Sequence, residues 1–319
     1  MFFVLLLTTS LFSTFAFGMR CEPVDLRDRL GPILNQDEVG WCYAYTAADL
    51  VSFKLKQRVS PIDIAAIHHR KNDHDDAKSL ALAFGRGSEL GTGGIASSAI
   101  LDSQEAGGFC DEKSINANDL SSSTELNEAL KDLNSTSLTN FGKENISYDD
   151  CVKLERAKKL FPGVSVDEIQ ELAKREYIIN LVSAVSDKAC NPRIMPNPPF
   201  KTKNLVNYSE KIKNVVPMTR NQFSEVDRVI SSGKPISIGI FMERFYDFGG
   251  APNKHAKHAM TIVGKRFNPE TGECEYIVRN SWGPECSARY KATVSCENGT
   301  LFISEKELRK AVYSADYIE

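Results

Sequence analysis

The stretch around Cys42 limits what this chain can fold into more than any other. An apolar, alanine-rich run begins at Cys42 and continues through Leu50, Val51 and Phe53, which predicts a buried helix with the cysteine in its first turn. The unpaired amides and the dipole of a helix N-terminus stabilise negative charge, so they lower the pKa of a thiol placed there. The sequence therefore predicts that Cys42 is a nucleophile.

A nucleophilic thiol needs a base, and the base needs a group that orients it. His258 stands at the head of an apolar, β-prone segment that predicts a central strand. A second strand-like run, 276–279, leads into residues 280–283, which read Asn-Ser-Trp-Gly. We therefore predict His258 as the base and Asn280 as its orienting residue. His255 is the competing base, but a charged stretch follows it rather than the strand.

These separated blocks, in this order, resemble the papain-like cysteine peptidases. The resemblance implies that Cys42 is the nucleophile, that His258 is the base and later the acid, and that Asn280 holds the imidazole. It also implies that Gln36, six residues before the cysteine, forms an oxyanion hole with the Cys42 backbone N–H. The pair would exist as a thiolate and an imidazolium.

Four further residues are candidates for contact with substrate. By resemblance, Gly93 and Gly94 match a glycine pair whose bare backbone pairs with an extended peptide. Trp282 matches the tryptophan that shields the histidine–asparagine hydrogen bond from water. Trp41 lies beside the nucleophile and is bulkier than the residue usual in the family, as Lys257 beside His258 is more charged.

The chain also departs from the family. Val39 and Gly91 stand where one family disulfide has its two cysteines, so both halves of that bridge are missing together. The interval between Cys42 and His258 exceeds the roughly 130–150 residues usual in the family. We therefore expect an inserted region.

The resemblance implies an α+β fold with two lobes. We predict a mainly helical lobe over 24–110, an inserted helical region over 111–214, and an antiparallel sheet or barrel over 215–319. Helical spacing and capping pairs predict three helices in the insertion, after Ser122, Ser147 and Ser165. The insertion is a decoration packed on one lobe, a regulatory or substrate-gating subdomain that replaces the missing pro-segment, or a disordered region.

The N-terminus predicts export. Residues 1–18 are apolar, interrupted by threonine and serine, and end in small residues, as a cleaved signal peptide does; a retained anchor is the alternative. Only residues 19–23 precede the start of the family-like domain, so we expect no long inhibitory pro-segment. The protein is expected outside the cytoplasm: extracellular, periplasmic or lysosome-like.

Besides Cys42 the chain has seven cysteines, so at most three disulfides can form within it. Cys274, Cys286 and Cys296 bracket the loop at Asn280, which predicts at least one bridge there. We predict neither a metal nor a cofactor, and we interpret the histidine-rich run 68–76 as a solvated polar loop rather than a metal cluster. Four Asn-x-Ser/Thr sites would accept glycans in a eukaryotic secretory pathway: Asn134, Asn145, Asn207 and Asn298.

The predicted function is hydrolysis of peptide bonds by a secreted cysteine peptidase. The alternatives are a catalytically silent binding or regulatory protein, and a transpeptidase or ligase. The expected partners are protein or peptide substrates and a protein inhibitor acting in trans, on a monomeric enzyme. A net charge of −3 gives no electrostatic case for nucleic acid or for an anionic membrane, and we expect no membrane association after signal cleavage.

Overall fold

The structure is a computed structural model, and the description below covers part of the chain. The described residues are 21–36, 39–72, 95–115, 128–133, 135, 153–155, 158–175, 178–206, 218–249 and 256–319. None of the described helices has the length and hydrophobicity needed to cross a membrane. The predicted signal peptide lies outside the described residues.

Three helices before residue 111 follow the sequence closely. Helix α1 covers Cys42–Leu55, α2 covers Pro61–Asn72 and α3 covers Ala96–Glu105. As predicted, α1 begins at Cys42. Pro61 occupies the first position of α2, where its missing N–H costs nothing. The prediction for the histidine-rich run 68–76 was wrong in its first part, because residues 68–72 continue α2.

The predicted insertion contributes two well-defined helices and a strand. Helix α4, Val166–Arg175, begins after Ser165, whose hydroxyl accepts from the Glu168 backbone N–H while the Glu168 carboxylate accepts from the Ser165 N–H. This is the predicted capping pair. Helix α5, Ile178–Ala189, was not predicted. Of the other two predicted helices, residues 128–133 and 153–155 are helical.

The remaining helices and the strands complete an α+β fold. Helices α6 and α7 cover Arg220–Ser231 and Glu305–Ala311. The strands are β1 Val24–Asp25, β2 Thr202–Val206, β3 Ile236–Phe241, β4 Lys257–Asn268, β5 Glu273–Arg279, β6 Val294–Glu297, β7 Thr300–Ser304 and β8 Val312–Ile318.

All strand pairs are antiparallel, which confirms the predicted sheet type. The order is β2-β8-β3-β4-β5-β7-β6, and β1 pairs with β4. Strands β1, β2, β6 and β8 were not predicted. Strand β2 lies within the range assigned to the helical insertion, yet it pairs with β8 of the sheet.

The helices and the sheet have separate apolar cores that meet at α1. One core packs α1, α2 and α3 with α4 and α5. The second lies between the sheet and helices α6 and α7. Helix α1 contacts β3, β4 and β8, and Ala259 of β4 belongs to the helical core. The candidate site lies at this junction.

Three disulfides fix the ends of these elements. Cys286 pairs with Cys296, which confirms the predicted bridge beside the Asn280 loop. Cys110 pairs with Cys190 and ties the end of α5 to the segment after α3, while Cys21 pairs with Cys274 of β5. Cys42 is in no disulfide.

Candidate active site

Cys42 is the first residue of α1 and lies at the junction of the two cores. Its side chain is 8% exposed. The backbone amides of Ala259, Tyr43 and Cys42 itself act to lower the pKa of its thiol. Ala259 directly follows His258 on β4, and both Cys42 and Ala259 belong to the helical core, although the two residues are far apart in the sequence.

His258 and Asn280 meet because β4 and β5 are paired. Thr261 faces Arg279 across the two strands, and continuing that register places Asn280 diagonally across from His258 on the same face. The His258 Nε2 lies 2.7 Å from the Asn280 Oδ1. Both residues are buried, at 6% and 3% exposure.

Two neighbours fix the orientation of the Asn280 amide. The Ser281 backbone N–H donates to Asn280 Oδ1 at 2.8 Å, which identifies that atom as the oxygen. Asn280 Nδ2 donates to the Tyr290 hydroxyl at 2.9 Å. The oxygen therefore faces the imidazole, so His258 Nε2 carries the donated proton and Nδ1 is left to accept one.

Gln36 reaches the site through a short bridge to the Asn280 loop. Asn35 pairs with Trp282, and the Gln36 N–H donates to the Ser281 carbonyl at 2.8 Å. The Gln36 amide nitrogen donates to Val39 O at 2.8 Å, and its oxygen accepts from the Ser281 hydroxyl. One amide hydrogen is committed to Val39, and the second remains available for another acceptor.

The two tryptophans have different surroundings. The Trp282 ring lies over the imidazole, with 4.7 Å between its centroid and that of His258, and Tyr246 packs against its edge. Trp41 precedes α1, is 4% exposed, and has an indole nitrogen that is buried without a hydrogen-bond partner. Trp282 therefore covers the His258–Asn280 bond, whereas contact of Trp41 with substrate stays a prediction.

Burial acts on both reacting groups. It raises the pKa of the Cys42 thiol, and the three backbone amides oppose that shift. It lowers the pKa of His258 to about 4, opposed by the hydrogen bond to Asn280. Burial therefore opposes both charges of the predicted thiolate–imidazolium pair.

The structure brings together Cys42, His258, Asn280, Gln36 and Trp282. Gly93, Gly94 and His255 lie outside the described residues. Sequence reasoning missed two tyrosines. Tyr290 bonds to Asn280, and burial, together with the charge of a Cys42 thiolate, raises the pKa of the Tyr313 phenol on β8. Neither tyrosine lies in a periodic or motif-like pattern.

One group of described side chains has the spacing of metal ligands. The Asp63 carboxylate and the sulfurs of Cys110 and Cys190 lie within 4.8 Å of one another. The two sulfurs are bonded to each other, so they are not the thiolates that a metal would need. Asp63 instead forms an ion pair with Arg193 at 2.6 Å.

Comparisons with solved structures give weak likenesses, one of which is to a cysteine protease. No protein-family model and no curated protein matches the chain. A crystal structure of the Amb a 11 cysteine protease, a major ragweed pollen allergen, in its proform matches 93% of this chain with 14% identity and a TM-score of 0.44. The present chain spans 65% of the length of that structure. At that score the likeness carries no argument about activity, so the proposals below rest on the site itself.

Proposed function

We propose that the protein is a cysteine peptidase in which Cys42 attacks a peptide carbonyl and His258 moves the proton. The observation that carries this proposal is the convergence of four groups. Cys42 begins α1, the amide of Ala259, next to His258, acts on the Cys42 thiol, Asn280 binds the imidazole, and Gln36 is anchored to the same loop. The papain-like motifs of the sequence point to the same reaction.

The first half of the reaction forms a thioester. His258 Nδ1 accepts the Cys42 thiol proton while the sulfur bonds to the carbonyl carbon and the carbonyl π electrons move to oxygen. The free Gln36 amide hydrogen and the Cys42 backbone N–H stabilise that oxyanion. When the carbonyl re-forms, the C–N bond breaks, and the leaving amine takes the proton from His258.

The second half hydrolyses the thioester. His258 accepts a proton from water as the hydroxide adds to the carbonyl carbon. The C–S bond then breaks, the acid product leaves, and the Cys42 sulfur recovers its proton. The hydrogen bond to Asn280 and the cover provided by Trp282 keep the imidazole in one orientation through both halves.

The setting of the enzyme is also a proposal. Three disulfides suit an oxidising compartment, which supports export directed by residues 1–18. The substrates would be proteins or peptides. The lobe boundaries at 24–110, 111–214 and 215–319, the monomeric state and an inhibitor acting in trans remain proposals from the sequence.

Labelling with an epoxide-type inhibitor of cysteine peptidases tests the assignment. The rate is measured from pH 4 to pH 9, followed by mass mapping, on the wild-type protein and on Cys42→Ala and His258→Ala. We expect labelling confined to Cys42 that slows by orders of magnitude without His258. Slow labelling that does not depend on His258 would overturn the proposal and favour a silent binding protein.

Product analysis separates hydrolysis from transfer. The protein is incubated with a peptide substrate, with and without an added amine, and product masses are recorded. We expect the free carboxylic acid as the main product in both. A product that carries the amine in place of water would identify a transpeptidase or ligase, and the hydrolytic assignment would be wrong.

A further inference from the structure

A buried ion pair connects the segments that carry the four candidate catalytic groups. Arg279 is the last residue of β5, immediately before Asn280, and its side chain is 6% exposed. Its Nε lies 3.1 Å from each carboxylate oxygen of Asp49 in α1. The two remaining nitrogens donate to the carbonyls of Gly31 and Pro32, on the segment that leads to Gln36.

Asp49 continues the connection from the helix side. It lies seven residues, or about two turns, after Cys42 on α1. Besides Arg279, its carboxylate accepts from the Thr261 hydroxyl at 3.0 Å. Thr261 belongs to β4, three residues after His258. The Asp49 carboxylate therefore joins the helix that begins at Cys42 to β4, which carries His258, and to β5, which leads to Asn280.

The chemistry of this pair is specific to its position. Arginine has five donors spread over three nitrogens in a planar fork, so separate nitrogens bind the carboxylate and the two carbonyls, whereas lysine offers a single nitrogen. Burial raises the pKa of Asp49, while Arg279 and Thr261 act to lower it. Removing one partner leaves the other charge buried and unpaired, so the helix and the strands would shift to reach solvent or new partners.

A second ion pair, between the buried Lys265 of β4 and the partly exposed Asp227 of α6, provides a comparison. Lys265 of β4, 5% exposed, lies 2.7 Å from Asp227 of α6 and also donates to Ser231. This pair joins β4 to α6, and neither helix α1 nor the Gln36 segment takes part. Lys265 and Asp227 can therefore have a purely structural role. The Arg279–Asp49 pair instead contacts every segment of the site: α1, β4, β5 and the segment that leads to Gln36.

We propose that Arg279 and Asp49 are positioning residues, which hold the Cys42 helix in register with the strands of His258 and Asn280. This inference rests on the proposed peptidase function. A displacement of about 1 Å between reacting groups can cost on the order of 100-fold in rate. Breaking the pair should therefore lower the rate of the chemical step more than it weakens substrate binding.

Four variants test the proposal. Asp49→Asn removes the charge but keeps the shape, Arg279→Lys keeps the charge but loses the fork, and Asp49→Asn combined with Arg279→Lys tests coupling. Asp227→Asn is the matched control. For each, the kcat and KM of peptide hydrolysis and the pH dependence of Cys42 alkylation by iodoacetamide are measured well below its melting temperature.

We expect Asp49→Asn to lower kcat by about 10- to 100-fold with little change in KM, and to alter the pH profile of alkylation. Arg279→Lys should lose less activity, and the double variant should lose less than the product of the two single losses. Asp227→Asn should lower the melting temperature but keep kcat and the profile. An Asp49→Asn protein that is less stable but unchanged in kcat and profile would overturn the proposal.

Alkylation keeps this test separate from the proposed function. If the wild-type protein hydrolyses no peptide, the peptidase assignment fails, yet alkylation still reports how His258 acts on Cys42. If wild-type hydrolysis is normal and Asp49→Asn leaves alkylation and turnover unchanged, only the positioning role fails. If Asp49→Asn does not fold, Arg279→Lys decides, because it retains the buried pair of charges.

Discussion

Cys42 and His258 reach the candidate site from two regions that are built differently. Cys42 takes its place from one helix, whose first turn is stabilised locally by the Thr46 hydroxyl donating to the Cys42 carbonyl at 2.8 Å. His258 depends on pairing with β3 and β5 and on a loop residue, Asn280, beyond the strand end. The helical region supplies Cys42 alone, whereas the sheet region supplies His258 and Asn280 together with the residues that are hydrogen-bonded to Asn280.

This difference affects how each region tolerates substitution. In the sheet region, Ser281, Tyr290 and Gln36 share hydrogen bonds with one another or with Asn280, so losing one partner should change the others. The four predictions below test that expectation, from the largest effect to the smallest.

Gln36 is the group through which the two regions meet, so its loss should have the largest effect. Removing one oxyanion donor typically costs about 10²- to 10³-fold in kcat. We expect Gln36→Ala to lower kcat by this amount and to change KM little, in a steady-state assay with a peptide substrate. Gln104→Ala, which removes another amide bonded to backbone, should keep its activity. Equal losses in both would contradict the assignment.

Two histidines, one in each region, should make stability fall in acid. Burial lowers the pKa of both His258 and His69 to about 4, below the ordinary value near 6.5 that the unfolded chain keeps. Between these values the unfolded state binds the proton, so stability is full above pH 6.5 and falls toward pH 4.

The shift of His258 corresponds to about 3 kcal/mol. The free energy of unfolding is measured with denaturant at several pH values. Between about pH 6.5 and pH 4, the fall in this free energy should be about 3 kcal/mol larger in wild type than in His258→Gln. His69→Gln should likewise lose less stability in acid than the wild-type protein does. If the free energy of unfolding falls equally with pH in wild type and in His258→Gln, His258 is not buried in its neutral form.

Asn280→Ala should have a moderate effect, because the imidazole keeps its strand position but loses its orienting bond. Groups that orient a functional histidine typically contribute roughly 10- to 100-fold. We expect kcat/KM to fall by that factor. Asn268→Ala, at the other end of the same β4–β5 hairpin, serves as the control. A loss confined to Asn268→Ala would show that the hairpin fold, rather than the orientation of His258, limits activity.

Tyr290→Phe should give the smallest effect, since it removes only the hydroxyl that accepts from Asn280. A single hydrogen bond contributes about 1 kcal/mol, so kcat/KM should fall about 5-fold while the melting temperature changes little. The control is Tyr246→Phe, whose hydroxyl lies 3.2 Å from Ser287 rather than from Asn280. Equal kcat/KM in Tyr290→Phe and wild type would show that the Tyr290 hydroxyl does not contribute to the activity of the site.

Local signals explain the parts of the fold that could be predicted. Cys42 begins its helix as expected, and the Ser165 cap was readable because its bond spans only three residues. The strands at β3, β4, β5 and β7 were recognisable as apolar, β-branched runs.

The missed elements depend on distant partners. Strand β8 follows α7 without a turn signal, and it is extended because it pairs with both β3 and β2. Strands β1 and β6 have two and four residues, which is too short for a periodic pattern. The histidines of the 68–76 run looked loop-like by polarity, yet α2 continues through residue 72 because His68 bonds to Asp102 and His69 to Tyr43.

The sequence by itself determined the candidate reactive groups: a thiol in the first turn of a helix, a histidine leading a strand, an asparagine after the next strand and a glutamine before the cysteine. Each follows from signals that act over a few residues. The tertiary structure decided what surrounds them, including the Ser281 and Tyr290 contacts, the opposed pKa shifts and the Arg279–Asp49 pair. These depend on burial and on contacts between residues as many as 245 positions apart, and local chemistry carries no information about such contacts.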